Sequence, residues 1–223
     1  MCGRYALFSN ADEVMSHFQL TRPPRFQPSY NIAPSRKILT VVELEDGSRK
    51  AVNLFWGLVP SWSKDTQNST HLINARRETV REKPAFRAAF KQRRCLIVAN
   101  GFYEWQTRDS GKQAFYMRRG NSQLIAFAGL WEQWQQASET LYSCTLITTE
   151  STTLMQPIHA RMPVILSTEY YHAWLDKSTA PDAAFALLDN AAYTEMIALP
   201  VGSWVNNPRH DDERCLYAAD EAR

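Results

Sequence analysis

Apolar residues come in short runs along this chain, broken every few positions by polar turns, and that rhythm predicts a protein built mainly of strands. Arg4 to Phe8 is the first such run. Asn10, with Glu13 three residues on, has the pattern of a helix cap, and Val14 and Phe18 follow at helical spacing, so a short helix is expected after Asn10. Pro23, Pro24 and Pro28 make the next segment irregular, and Asn31 to Ser35 reads as its continuation, a loop stiffened near its tip by Pro34. Ile38 to Leu44 and Ala51 to Leu58 are apolar runs joined across Glu45-Asp46-Gly47, which suits a hairpin. The polar stretch Ser63 to Thr70 is expected to be an exposed loop leading to His71-Leu72-Ile73-Asn74-Ala75-Arg76.

Pro84 fits the first turn of a helix running to about Gln92, with Phe86 and Phe90 on one face. Cys95 to Ala99 reads as a buried strand that continues through Asn100-Gly101 into Phe102 to Trp105. Strands at Ala114 to Met117, Leu124 to Leu130 and Leu141 to Thr148 keep the same rhythm. Ser151 is placed as the cap of a short helix ending near Pro157, and Val164 to Leu166 as a strand. Helices are expected from Ser167 through Leu175 and from Pro181 through Leu188, then a last strand at Met196 to Val201. From Val205 the chain is polar and acidic, and residues 206–223 read as a flexible tail. The fold class is mixed α/β (α+β), an antiparallel sheet curling towards a barrel with helices around it, in one domain spanning residues 1–223.

Composition narrows the classes. A chain of 223 residues with 44% hydrophobic content supports a sizeable core. It has neither an eighteen-residue apolar run nor a charged-then-apolar leader, so no membrane partner and a cytoplasmic location are expected. Cys2, Cys95, Cys144 and Cys215 lie far apart without a C-x-x-C pair, which points to neither a disulfide nor a zinc site. Phosphate-loop, dinucleotide-loop, H-E-x-x-H and G-x-S-x-G patterns do not occur, so no cofactor and no metal are expected. The net charge of +2 says little, but between Asn74 and Arg94 eight basic residues face two acidic ones, a local balance of +6. Near the aromatic residues Trp62, Phe102, Tyr103 and Trp105, such a patch suits a single nucleic-acid strand, with arginines on phosphates and rings under bases. A solvated helical face would carry the same charges.

Four residues have chemistry that composition does not explain. Loss of Met1 would leave Cys2 with a free α-amine beside its thiol, a 1,2-aminothiol that condenses with an aldehyde to an imine and then closes to a thiazolidine. Both groups titrate close enough to neutral pH to have reactive fractions there. Glu104 follows an apolar strand between Tyr103 and Trp105, a setting that raises a carboxyl and fits it for proton transfer. His159, between Pro157 and Pro163 and near Arg161, is the best acid–base candidate among the five histidines, although a histidine in such a loop is commonly structural. Asn74, just before the arginines, is suited either to fix a substrate oxygen or to cap the next turn.

Met1-Cys2-Gly3-Arg4, Tyr30-Asn31-Ile32-Ala33-Pro34, Trp56-Gly57-Leu58-Val59-Pro60, Asn74-Ala75-Arg76 with Glu78-Thr79, Gly101-Phe102-Tyr103-Glu104-Trp105, His159-Ala160-Arg161-Met162-Pro163 and Val205-Asn206-Asn207-Pro208 occur in order over nearly the whole chain. Together they resemble the SRAP family, the SOS response-associated peptidases. The resemblance implies a monomer that binds single-stranded DNA containing abasic sites, with Cys2 as nucleophile on the C1′ aldehyde of the ring-opened sugar. It implies that Asn74, Glu104 and His159 complete the catalytic set, with weak lyase activity and self-removal of Met1 as accompanying activities. It also implies that Arg4, Asn31, Trp62, Arg76, Trp105 and Thr148 meet the DNA, with the Pro34 loop wedged beside the lesion. Some relatives carry an arginine at about position 84, where this chain has Pro84; Lys83 or Arg87 is then the substitute, with Arg77 in the same basic patch. Two other readings of the residues stand beside this one: a peptidase using the Cys2 thiolate with His159 as base, and a non-catalytic single-strand binding module.

Overall fold

A computed structural model describes residues 2–66, 72–189, 193 and 195–219; Met1, residues 67–71, 190–192, 194 and 220–223 fall outside this set, and with them the second half of the loop expected from Ser63 to Thr70. Strand β1 (Tyr5–Leu7) leads into helix α1 (Ala11–Phe18). The capping box forms as read: Asn10 Oδ1 accepts from the Glu13 N–H at 2.9 Å, and the Glu13 carboxylate accepts from the Asn10 N–H at 3.1 Å. Val14 and Phe18 are the buried positions of this helix.

Strand β2 (Ser29–Ile32) falls where a loop was expected. Local sequence favours irregular backbone there, but β1 offers a partner edge, with Tyr5 opposite Ile32, and the turn is delayed to Pro34. Strands β3 (Lys37–Glu43) and β4 (Arg49–Trp56) form the expected hairpin. Its tip uses Gly47 at φ 77°, a conformation open to glycine at little cost.

Strand β5 (Asn74–Arg76) precedes helix α2 (Arg87–Gln92). This helix is shorter than expected: the residues after Pro84 make turns onto the Lys83 carbonyl, and Phe86 at the N-cap supplies no side-chain acceptor. Then come β6 (Arg94–Ala99), β7 (Gly101–Arg108), β8 (Gly111–Arg119), β9 (Ile125–Gln136) and β10 (Glu139–Glu150). The helix expected at Ser151 is absent. Turns there are held by the Thr152 carbonyl, which accepts from Met155 at 2.9 Å and Gln156 at 2.8 Å, and Pro157 prevents a longer ladder. Strands β11 (Arg161–Pro163) and β12 (Ile165–Leu166), helices α3 (Tyr171–Leu175) and α4 (Pro181–Leu187) and strand β13 (Met196–Val201) complete the elements. Ser167 makes no capping bond, and a 3₁₀ turn precedes α3 instead.

Five strands close a barrel in the order β10, β4, β3, β6, β9 and back to β10. All its pairings are antiparallel except the parallel contact of β4 with β10, where Trp56 lies opposite Cys144. A second, antiparallel sheet runs β13-β8-β7-β1-β2. Tyr5 joins the two, its ring meeting Trp56 at 5.4 Å and Phe127 at 5.9 Å edge-on in the shared core. No helix among the described residues is long and apolar enough to cross a membrane.

The segment from Val205, read as a flexible tail, is packed through Ala219. Val205 and Cys215 are buried in two 3₁₀ turns. Asn31, itself fully buried, donates through Nδ2 towards the carbonyls of Val205 (3.2 Å), Asn207 (3.0 Å) and His210 (2.7 Å). Several polar groups of this segment bond to the body of the protein, although most of its residues stay exposed.

Candidate active site

Two edges converge on the start of the chain. In the second sheet, β1 runs antiparallel to β7, with Tyr5 opposite Phe102 and the Tyr103 N–H on the Arg4 carbonyl at 2.9 Å, so the residues before β1 extend towards Glu104. In the barrel, β5 lies parallel to β10 with Asn74 opposite Leu146, while β11 flanks the other side of β10 with Arg161 opposite Glu150. His159 therefore emerges just before β11. Asn74 Nδ2 donates to the Cys2 carbonyl at 2.9 Å and ties the two sheets together. Its Oδ1 is buried and has no hydrogen-bond partner among the described residues, an acceptor suited to a substrate hydroxyl.

Glu104 and His159 line one open cleft of about 590 Å³ with Arg4, Trp105, Thr107, Lys112 and Asn206. Glu104 is only 4% exposed; burial raises its carboxyl above the ordinary range, and the nearby His159 charge acts in the opposite direction. Cys2 is fully buried, and burial, followed by the Glu104 charge, pushes its thiol far up. The thiol is therefore neutral in this state, with the Glu104 carboxyl close enough for its charge to act on it. His159 Nδ1 lies 3.0 Å from both the backbone nitrogen and the carbonyl oxygen of Arg161, which hold the ring beside β11.

Arg161 and Glu78 were not singled out by the sequence reading, yet they brace this edge. The Arg161 guanidinium meets Glu78 Oε1 at 3.2 Å and Oε2 at 3.0 Å, and also donates to the Thr148 carbonyl at 2.7 Å. Burial pushes the Glu78 carboxyl up, but the hydrogen bonds from Arg161 outweigh it and hold the group below its ordinary value. The signal was present in sequence, since both residues sit inside the ordered motifs, but nothing local pairs positions 78 and 161.

The residues expected to meet a nucleic acid divide into three groups. Arg4 and Trp105 line the cleft: Arg4 Nη1 donates to Asn31 Oδ1 at 2.7 Å and the Val205 carbonyl at 2.9 Å, with its guanidinium carbon 5.6 Å from the centre of the Trp105 ring. Asn31 and Thr148 are buried and act from behind, Asn31 through Arg4 and Thr148 through its carbonyl bond to Arg161. Trp62 is 66% exposed, Pro34 is half-buried in its turn, and Arg76 and Lys83 face solvent.

Several other members of the basic patch are used for structure. Arg77 pairs with Asp189 and packs 4.8 Å from the Phe185 ring, Arg93 pairs with Glu132 at 2.9 Å, and buried Arg94 donates to the Phe90 and Trp174 carbonyls. Arg87 lines a separate groove with Pro181 and Asp182. The free charge of this patch is consequently smaller than the sequence balance. Among the described residues, no group of three or more His, Cys, Asp or Glu side chains is arranged to hold a metal ion.

Comparison with known proteins shows the family of the chain. Residues 1–208 match the family model described as "SOS response associated peptidase (SRAP)". The abasic site processing protein YoaM of Bacillus subtilis is 42% identical over 225 residues, covering 98% of each chain. The abasic site processing protein HMCES of Xenopus tropicalis is 33% identical over 229 residues, covering 87% of this chain and 67% of the relative. A crystal structure of a Bacteroides thetaiotaomicron protein, 22% identical, shares the fold with a TM-score of 0.84 over 97% of this chain and all of its own. This chain belongs to the SRAP family.

Proposed function

We propose that this protein processes abasic sites in single-stranded DNA by linking to them covalently through Cys2 after removal of Met1. The observation that carries this reading is the convergence of Cys2, Asn74, Glu104 and His159 from two sheets, with Glu104 and His159 in one cleft. The names of relatives at 42% and 43% identity, abasic site processing proteins, agree with it.

The ring-opened abasic sugar carries an aldehyde at C1′. The freed Cys2 amine adds to that carbon, and loss of water gives an imine. The neutral thiol adds to the same carbon, its proton passes to nitrogen, and a thiazolidine results; aldehyde and aminothiol are converted to thiazolidine and one water. Glu104 takes and returns the amine proton, His159 supplies the proton that ring opening and departing oxygen require, and Asn74 orients the sugar. Arg4 and Trp105 hold the strand along the cleft, with Trp62, Arg76 and the Pro34 turn outside it. An imine also permits β-elimination, so a weak lyase activity accompanies the reaction until ring closure suppresses it. Self-removal of Met1 is the peptidase activity included in this reading.

A peptidase acting on other chains is less well supported, because burial keeps the Cys2 thiol protonated and Glu104, not an imidazole, sets its charge environment. The deciding experiment mixes the processed protein with abasic and intact oligonucleotides and separates products on denaturing gels. A heat-stable shifted band is expected with the abasic strand alone, lost in Cys2→Ala. Its absence from the wild type would remove the covalent reading, and equal binding of both strands without a covalent product would leave a simple binding module.

A further inference from the structure

At the end of the barrel away from Cys2, the start of β4 borders a groove of about 910 Å³. Strand β4 contains eight residues, and at about 3.3 Å each its groove-lining positions from Arg49 to Asn53 lie roughly 23 to 10 Å from its Trp56 end. That end adjoins the active site, since Trp56 Nε1 donates to the carbonyl of Ile73, next to Asn74, at 3.0 Å. Arg22, Arg25, Arg49 and Lys50 line the groove, and Asp46 is the one acidic residue doing so among the described residues. The Asp46 carboxylate is already engaged by the Ser48 N–H at 2.9 Å and hydroxyl at 2.6 Å. Arg49 is fixed by the Phe18 carbonyl at 3.2 Å, while Arg22, Arg25 and Lys50 are exposed.

Lys50 and Asn53 also line an adjoining hollow of about 310 Å³, walled by Val52, Leu54, Trp131 and Tyr142. Tyr142 is 46% exposed, and its ring lies 6.4 Å from that of Trp131 at an angle of 44°. A cationic groove thus runs into an exposed aromatic platform, and Lys50 belongs to both.

We infer that this surface is a second binding site for single-stranded nucleic acid, with phosphates along Arg22, Arg25 and Lys50 and an unpaired base against Tyr142. A charged groove that tracks a backbone, joined to rings that accept any base, is the combination such strands require. A duplex keeps its base faces stacked, and a purely ionic partner has no use for the rings. The inference rests on the proposed single-strand reading and adds a second hold, towards the Arg49 end of β4, on undamaged nucleotides.

The test compares the wild type, an Arg22→Gln/Arg25→Gln/Lys50→Gln variant and Tyr142→Ala, all at surface positions. Anisotropy over a series of salt concentrations is recorded with a long intact oligothymidylate, and crosslinking with an abasic strand of about three nucleotides, too short to follow the groove from the cleft. The triple variant should bind the long strand at least tenfold more weakly, its log K against log salt slope falling by about two. Tyr142→Ala should weaken binding about fivefold or more. Crosslinking of the short strand should stay within twofold. Unchanged affinity and slope in the triple variant would overturn the inference while leaving the Cys2 reading intact. Binding of polyglutamate as tight as that of the strand, with no effect of Tyr142→Ala, would overturn it in favour of an acidic protein partner. Loss of crosslinking in the wild type, with a groove-dependent salt slope retained, would sink the Cys2 chemistry and support the second site.

Discussion

At the residue scale, the environment of Glu104 bears on which half of the aminothiol would act first in the proposed reaction. Burial raises the carboxyl, and together with Glu104 it also keeps the Cys2 thiol protonated, so the amine is the group that can attack early and the thiol follows as a neutral nucleophile. The same shift has a consequence for stability. A carboxyl raised by folding contributes stability below its unfolded-state value and loses it as pH rises through the folded value, because ionisation is then resisted by the fold. Wild-type protein should therefore lose stability relative to Glu104→Gln as pH climbs from the ordinary carboxylate range towards neutrality. Melting curves of both proteins across that range should diverge in favour of the glutamine variant, and parallel curves would contradict a raised carboxyl. In the same variant, crosslink formation should slow by about a hundredfold if Glu104 moves the amine proton. Unchanged rates of both formation and reversal would remove it from the mechanism.

At the scale of elements, β7 carries Glu104 to the site, and its first residue is the tightest point of the strand. A Cβ on Gly101 would stand 2.4 Å from the Met117 carbonyl oxygen and 2.6 Å from the Tyr116 ring, so neither backbone nor buried ring can yield cheaply. A Cβ on Gly129 would instead meet Cys95 Sγ and Ile97 Cδ1 at 2.9 Å, atoms at the ends of side chains. Gly101→Ala should thus destabilise by about 2–3 kcal/mol and slow crosslinking by displacing β7, while Gly129→Ala costs about 1 kcal/mol and leaves crosslinking near wild type. Urea midpoints for the two variants test the order; equal midpoints would show that β7 has room to shift.

The elements also mark how far sequence could reach. The Asn10–Glu13 box, the β3–β4 hairpin and β13 depend on neighbours in sequence or on simple alternation, and they form where the pattern puts them. Cys2, Glu104 and His159 stood out because each is chemically odd in its local setting. Strand β2 was illegible because its stabilising partners are β1 and a residue 180 positions further on. The same applies to the basic patch, where Asp182 of α4 and Glu132 of β9 claim arginines that a linear count leaves free.

At the scale of the whole molecule, the C-terminal segment works as a strap that holds the front of the site. Asp211 accepts from the Ser29 hydroxyl at 2.8 Å and from the N–H groups of Tyr30 at 2.6 Å and Asn31 at 3.0 Å, and it pairs with Arg36 at 3.3 Å. Asn31 then carries the hold forward to Arg4 in the cleft. A flexible tail would make position 211 indifferent to substitution, whereas a strap makes it costly, since Asp211→Ala leaves the amides of β2 without their acceptor. The expected loss is about 2–3 kcal/mol, with Asp211→Asn milder because one carbonyl oxygen remains to accept. Arg4 should lose its fixed position as well, so Asp211→Ala should weaken binding of intact single strands at low salt although residue 211 lines no part of the cleft. Thermal melts and anisotropy on the two variants separate these effects: a melting point and an affinity both equal to wild type in Asp211→Ala would return the segment to the status of a tail.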